Sequence, residues 1–204
     1  MCNNPLFYML CLLMLLAADV SAEWNNYVIN YKKELFGKGS QTWQIEAFNE
    51  NWVYFANKNG LLQYEGSDWK LLPLHNESDV RSLHLSDKLK RIYVGGEGEF
   101  GYFHADASGK LLYVNLSDSL PDNKFNVGYW GVYEVDNIFY YVSDNFIIKQ
   151  LGNEFTLIPS AHKIDRSGVV NGSLYIGTVN GVFVLVGNSF FPLSGGESLV
   201  GKHI

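Results

Sequence analysis

Four copies of one short pattern constrain this chain more than any other feature. Val53-Tyr54-Phe55, Ile92-Tyr93-Val94, Phe139-Tyr140-Tyr141 and Leu174-Tyr175-Ile176 each centre a tyrosine in an apolar triplet, at intervals of 39, 47 and 35 residues. Each triplet runs into a polar or glycine turn and then a second β-rich run: Leu61–Tyr64, Phe100–Phe103, Phe146–Lys149 and Val182–Leu185. Tight hairpin signals follow at Glu65-Gly66-Ser67-Asp68, Asp106-Ala107-Ser108-Gly109, Gly152-Asn153 and Gly187-Asn188, where Gly and Asn tolerate positive φ. An outer strand then opens on Trp69, Leu111, Phe155 or Phe190, and an inner one precedes each tyrosine at Thr42–Phe48, Val80–Leu85, Tyr129–Val135 and Ile164–Val170. Every unit is thus a meander of four antiparallel strands with no room for a helix.

Four-stranded units repeating every 40 residues or so predict an all-β fold, a β-propeller of four-stranded antiparallel blades. A β-sandwich also spaces its strands closely, but it would not return the same tyrosine and turn at matching phase four times. The blades are expected at about 42–73, 80–116, 127–159 and 163–193. Residues 199–204 resemble the first strand of a fifth blade, which predicts a partial ring cut from a longer parent chain whose remaining blades would be its partners.

Residues 1–22 are set apart. Leu6–Ala18 is a run of thirteen apolar residues, too short for a membrane span of about 20. Val20-Ser21-Ala22 supplies the small residues of an export cleavage site, although no Lys or Arg precedes the run. The expectation is a signal peptide at 1–22, a sensor domain over 23–204 and a periplasmic address. Cleavage would remove both cysteines, Cys2 and Cys11, and with them disulfides, thiolate chemistry and cysteine-bound zinc.

The 15 basic against 21 acidic residues give a net charge of −6, which excludes a basic nucleic-acid footprint. Gly96-Glu97-Gly98-Glu99-Phe100-Gly101 matches GxGxxG in letters only. A dinucleotide site needs its last glycine to open a helix, whereas FGYFHAD continues as strand and two glutamates would repel phosphate. Glu97 and Glu99 have the separation of a glycosidase pair, but they stand beside a turn, where carboxylates are solvated and nothing raises a pKa. The five histidines show no HxH, HxxxH or HExxH spacing, and neither G-x-S-x-G nor a phosphate loop occurs. No cofactor, metal or catalytic constellation is expected.

Geometry guides better than motifs. In a four-stranded meander the second-to-third-strand turns and the blade connections emerge on one face, and long loops on a rigid scaffold carry binding residues. That face would present Asn57, Asn59, His75, Glu97, Asp144, Asn145 and Asn180, with Arg81 and Trp130 near the inner strands. Amide, carboxylate and aromatic groups suit hydroxyl-rich ligands such as sugars.

Trp43-Gln44-Ile45, Val53-Tyr54-Phe55-Ala56-Asn57, Gly60-Leu61-Leu62 and Tyr64-Glu65-Gly66 together resemble a known family. So do Val80-Arg81-Ser82, Arg91-Ile92-Tyr93-Val94-Gly95-Gly96 and Glu99-Phe100-Gly101-Tyr102-Phe103. The family is the periplasmic "regulatory propeller" sensor region of membrane-spanning bacterial regulators. There the propellers precede a triple-tyrosine β-sandwich, a membrane span, and a histidine kinase or LuxR-type output. The resemblance spans about residues 27–193 and is strongest from Trp43 to Tyr113. It implies a non-enzymatic sensor for an oligosaccharide or other small-molecule ligand, touching the membrane only through C-terminal parts absent from this sequence. The competing classes are a fragment of a propeller lyase or glycan hydrolase, and a protein-binding scaffold. Inner-strand acids converging on the axis would favour the enzyme, and aromatic and amide groups at its mouth the sensor.

Overall fold

A computed structural model of the chain describes residues 31, 39, 41–48, 51–120 and 126–202. The chain divides into two compact units, Met1–Tyr31 and Lys32–Ile204, and the architecture below belongs to the second. The expected signal peptide lies outside the described residues.

Sixteen strands form four antiparallel sheets, each a meander in sequence order. Blade 1 holds β1 (Thr42–Phe48), β2 (Trp52–Asn57), β3 (Gly60–Glu65) and β4 (Asp68–Leu72). Blade 2 holds β5 (Val80–Ser86), β6 (Arg91–Gly96), β7 (Phe100–Ala105) and β8 (Leu111–Asn115). Blade 3 holds β9 (Gly131–Val135), β10 (Ile138–Val142), β11 (Phe146–Leu151) and β12 (Glu154–Pro159). Blade 4 holds β13 (Arg166–Val170), β14 (Ser173–Thr178), β15 (Gly181–Val186) and β16 (Ser189–Pro192). This is a propeller whose sheets do not close into a ring.

The tyrosine repeat has a packing cause. Tyr54, Tyr93, Tyr140 and Tyr175 each stand third in the second strand of their blade. Successive strand residues point to opposite faces of a sheet, so a middle strand between two blades must be apolar on both sides. Tyr54 and Ala56 pack forward against Val80, Leu83, Ile92 and Val94 of blade 2. Tyr93 stacks on Phe139 of blade 3 with ring centroids 3.8 Å apart. Tyr140 and Val142 meet Leu174 and Ile176 of blade 4. Three clusters between blades therefore make up the core, and each fully buried side chain in them contributes about 1.5–3 kcal/mol.

Two expectations are corrected. Leu199-Val200 does not start a strand: the chain forms a short 3₁₀ turn at Gly196–Leu199, where Gly201 N bonds Val179 O at 2.7 Å. Tyr129 and Ile164 precede their inner strands, because their N–H groups donate to the neighbouring blade, at Gly96 O (3.0 Å) and Asp144 O (2.6 Å).

Candidate functional site

The inner strands begin with an irregularity that all four blades share. Thr42 pairs with Asn57 and Gln44 with Ala56, so Trp43 is skipped by the ladder. Val80 pairs with Gly96 and Ser82 with Gly95, so Arg81 is skipped in the same way. In blade 3 Trp130 N donates to Val142 O while Gly131 also faces Val142. In blade 4 Asp165 N donates to Gly177 O while Arg166 faces Gly177. Trp43, Arg81, Trp130 and Asp165 are thus equivalent residues, each the extra one opposite the residue two places after the repeated tyrosine: Ala56, Gly95, Val142 and Gly177. A bulge bends its strand and re-aims a side chain. Here all four line one cleft of about 710 Å³, a volume in the range of small-molecule sites.

Arg81 organises the cleft. Its guanidinium lies 4.1 Å from the Trp130 ring centroid and 5.4 Å from that of Trp43. Its Nη2 is 2.6 Å from Glu97 Oε2 and 3.7 Å from Asp79 Oδ2, while its buried Nε has no hydrogen-bond partner among the described residues. Cation–π contact on two indoles fixes the arginine and, with it, the separation of the rings. Trp130 keeps 47% of its surface exposed. On the blade 3–4 side the wall is polar, formed by Asp144, Lys163, Arg166 and Ser167.

Below the cleft, side chains of one inner strand bond the unpaired edge of the next. Gln44 Nε2 donates to Leu83 O (2.8 Å) and its Oε1 accepts from Leu83 N (3.0 Å). Glu46 Oε2 accepts from Leu85 N (3.0 Å), Ser82 Oγ donates to Tyr129 O (2.9 Å), and Tyr133 Oη donates to Ser167 O (2.7 Å). His84 Nε2 lies 3.3 Å from Glu134 Oε2. Burial raises the Glu46 carboxyl above its ordinary pKa, against the lowering effects of the Leu85 N–H, His84 and Gln44. Inner-strand acids thus reach the axis, but both Glu46 oxygens are already bonded there, to Leu85 and Gln44.

Of the nine residues singled out from sequence, Arg81, Trp130, Glu97 and Asp144 converge on this cleft or on the arginine in it. Asn57 is 2% exposed and holds its own turn, donating to Gly39 O and accepting from Asn59 N at 3.1 Å each. Ser143 and Thr178 do the equivalent work in blades 3 and 4. The Asn59 amide oxygen accepts from Gly39 N at 2.9 Å. Exposed Asn145 bonds Ser160 N through its carbonyl, and Asn180 meets His162 Nδ1 at 2.7 Å. His75 stands apart, edge-on to Tyr113 at 5.1 Å in a hollow with Glu99 and Asn115. Trp43, Lys163, Asp165 and Arg166 were not among the nine. Trp43 and Asp165 stand 11 and 10 residues before their repeated tyrosines, against 12 for Arg81, so no constant spacing raises them and only the pairing register does.

No protein-family model matches the sequence, and no curated protein does. Solved structures do. A structure described as the extracellular domain of a hybrid two-component system, BT3049 from B. thetaiotaomicron, superposes with a TM-score of 0.58 at 17% identity, over 81% of this chain and 25% of that one. The likeness is one of fold. PorZ of Porphyromonas gingivalis, a surface component of the type-IX secretion system, gives 0.50 at 17% identity over 74% of this chain and 21% of its own. A Bacteroides caccae protein of unknown function gives 0.51 at 8% identity, covering 74% and 59%. The chain therefore spans about a quarter of the first neighbour and a fifth of the second. The first of these neighbours has the fold that the sequence resemblance implies. Among the described residues no helix is long and apolar enough to cross a membrane, and no group of three or more His, Cys, Asp or Glu is placed to hold a metal ion.

Proposed function

We propose that this chain is the ligand-sensing propeller portion of an extracytoplasmic signal-transduction receptor, and that it binds a carbohydrate in the bulge-lined cleft. The observation that carries the reading is the convergence of one re-aimed side chain from each blade, two of them indoles, on a single cleft. An indole offers a flat apolar face to a sugar ring, and the surrounding hydroxyl, carboxylate and cationic groups offer partners for its hydroxyls. The neighbours are described as the extracellular domain of a hybrid two-component system and a surface component of a secretion system, which supports a non-enzymatic role. Further blades would pack on the outer face of blade 4, where Val170, Val186 and Phe191 are each more than half exposed. The test is calorimetric titration of the full chain with a panel of neutral and acidic oligosaccharides. Binding that quenches indole fluorescence and disappears in Trp130→Ala supports the reading; binding indifferent to Trp130→Ala refutes it.

A further inference from the structure

The charges around the cleft are unevenly satisfied. Arg81 is met by Glu97 at 2.6 Å, and Lys163, 65% exposed, is only loosely paired with Asp144 at 3.7 Å. Arg166 is exposed, donates to the backbone oxygen of Asp165 at 2.8 Å, and has no carboxylate partner among the described residues. Both blade 4-side cations face the cleft that Trp43 and Trp130 flank. Asp144 and Asp165 line the same side, so this corner is charge-balanced where the chain as a whole carries −6, and Arg166 is its one cation with no ion pair among the described residues. A planar guanidinium recognises carboxylates and sulfates by paired N–H donors.

Resting on the ligand-binding reading of this cleft, we infer that its ligand is an acidic saccharide. The sugar ring lies against the exposed Trp130 indole, and its acid group is held by Arg166 with Lys163 beside it. Neutral sugars can use the indoles but leave the Arg166 guanidinium without an anion. Blades 1 and 3 thus supply affinity for a ring, and the start of β13 supplies the choice of charge.

The test compares trigalacturonate and a hyaluronan tetrasaccharide with their carboxyl-methylated forms, which keep the rings and remove the charge. Titration of the full chain should show the acids binding about tenfold or more tightly than their esters, the difference shrinking as salt is raised. Arg166→Gln should bring acid affinity down to that of the ester, and Lys163→Gln should lower it less. Both residues are exposed, so melting temperatures should not move. Esters that bind as well as acids, or an Arg166→Gln variant that discriminates as before, would overturn this inference while leaving a sugar-binding cleft in place. Failure of every acidic, esterified and neutral sugar at millimolar concentration would overturn both.

Discussion

Replacing Gln44 by alanine should destabilise the propeller out of proportion to the size of the change. The innermost strand of a blade has one edge without a neighbouring strand, and at Leu83 both backbone groups on that edge are bonded by the Gln44 amide, at 2.8 and 3.0 Å. Leu83 itself is 0% exposed. Each buried backbone group left without a partner costs about 1–3 kcal/mol. The cleft lies next to Gln44, so water can reach part of the vacated space, and the lower end of the range applies to each group. The expected loss is about 2–3 kcal/mol, a large part of the roughly 5–15 kcal/mol that a domain has. For a chain of this length it lowers the melting temperature by about 4–12 °C. Differential scanning calorimetry with urea melts as a cross-check measures it. Gln41→Ala, an exposed residue one bulge away, is the control and should stay within about 0.5 kcal/mol. A Gln44→Ala melt within about 2 °C of the parent would refute the argument that side chains replace a missing strand at the propeller axis.

Three further outcomes are expected. A Cβ on Gly101 would stand 2.1 Å from the backbone oxygen of Val114, so Gly101→Ala should cost about 2 kcal/mol or more and lower the yield of folded protein, read by thermal melts. Thr178→Ala and Asn57→Ala remove turn-holding bonds and should each cost about 1 kcal/mol while leaving sugar affinity unchanged; a loss of affinity without loss of stability would return those residues to the site. Glu99 is 3% exposed rather than solvated as its place beside a turn suggested, and burial raises its carboxyl and that of Glu46 above 4.5, so the folded chain holds protons that the unfolded chain releases. Their contribution to stability is therefore present below pH 4.5 and lost as pH rises through the folded values, so urea midpoints of the parent should fall towards neutral pH relative to a Glu46→Gln/Glu99→Gln variant.

The blades were legible because packing between them dictates the sequence locally. A strand covered on both faces by its neighbours carries Ile92-Tyr93-Val94 or Phe139-Tyr140-Tyr141, because successive residues bury on opposite faces. The last ten residues were less legible. Leu199-Val200 carries the apolar pair of a strand, but two glycines at Gly195-Gly196 and one at Gly201 turn the chain, and Gly195 and Gly201 adopt positive φ. The site was half legible for a different reason. Loop position pointed to the turn residues, yet turns need internal polar partners, and Asn57, Ser143 and Thr178 serve that need in three blades. The residues that gather in the cleft belong to bulges. A bulge shifts the alternation of a strand by one residue, and at the very start of a strand too few residues remain to show the shift, so Trp43, Trp130 and Asp165 share no visible motif with Arg81. Their equivalence exists only in the pairing register.

One cleft is lined by a residue from the start of each inner strand, and hydrogen–deuterium exchange of the full chain tests that most directly. With the tightest-binding sugar of the panel present, slowed exchange should be confined to the segments around Trp43, Arg81, Trp130 and Lys163–Arg166, one from each blade. Protection centred on the hollow of His75, Glu99 and Asn115, or on the hairpins at the opposite face, would contradict it.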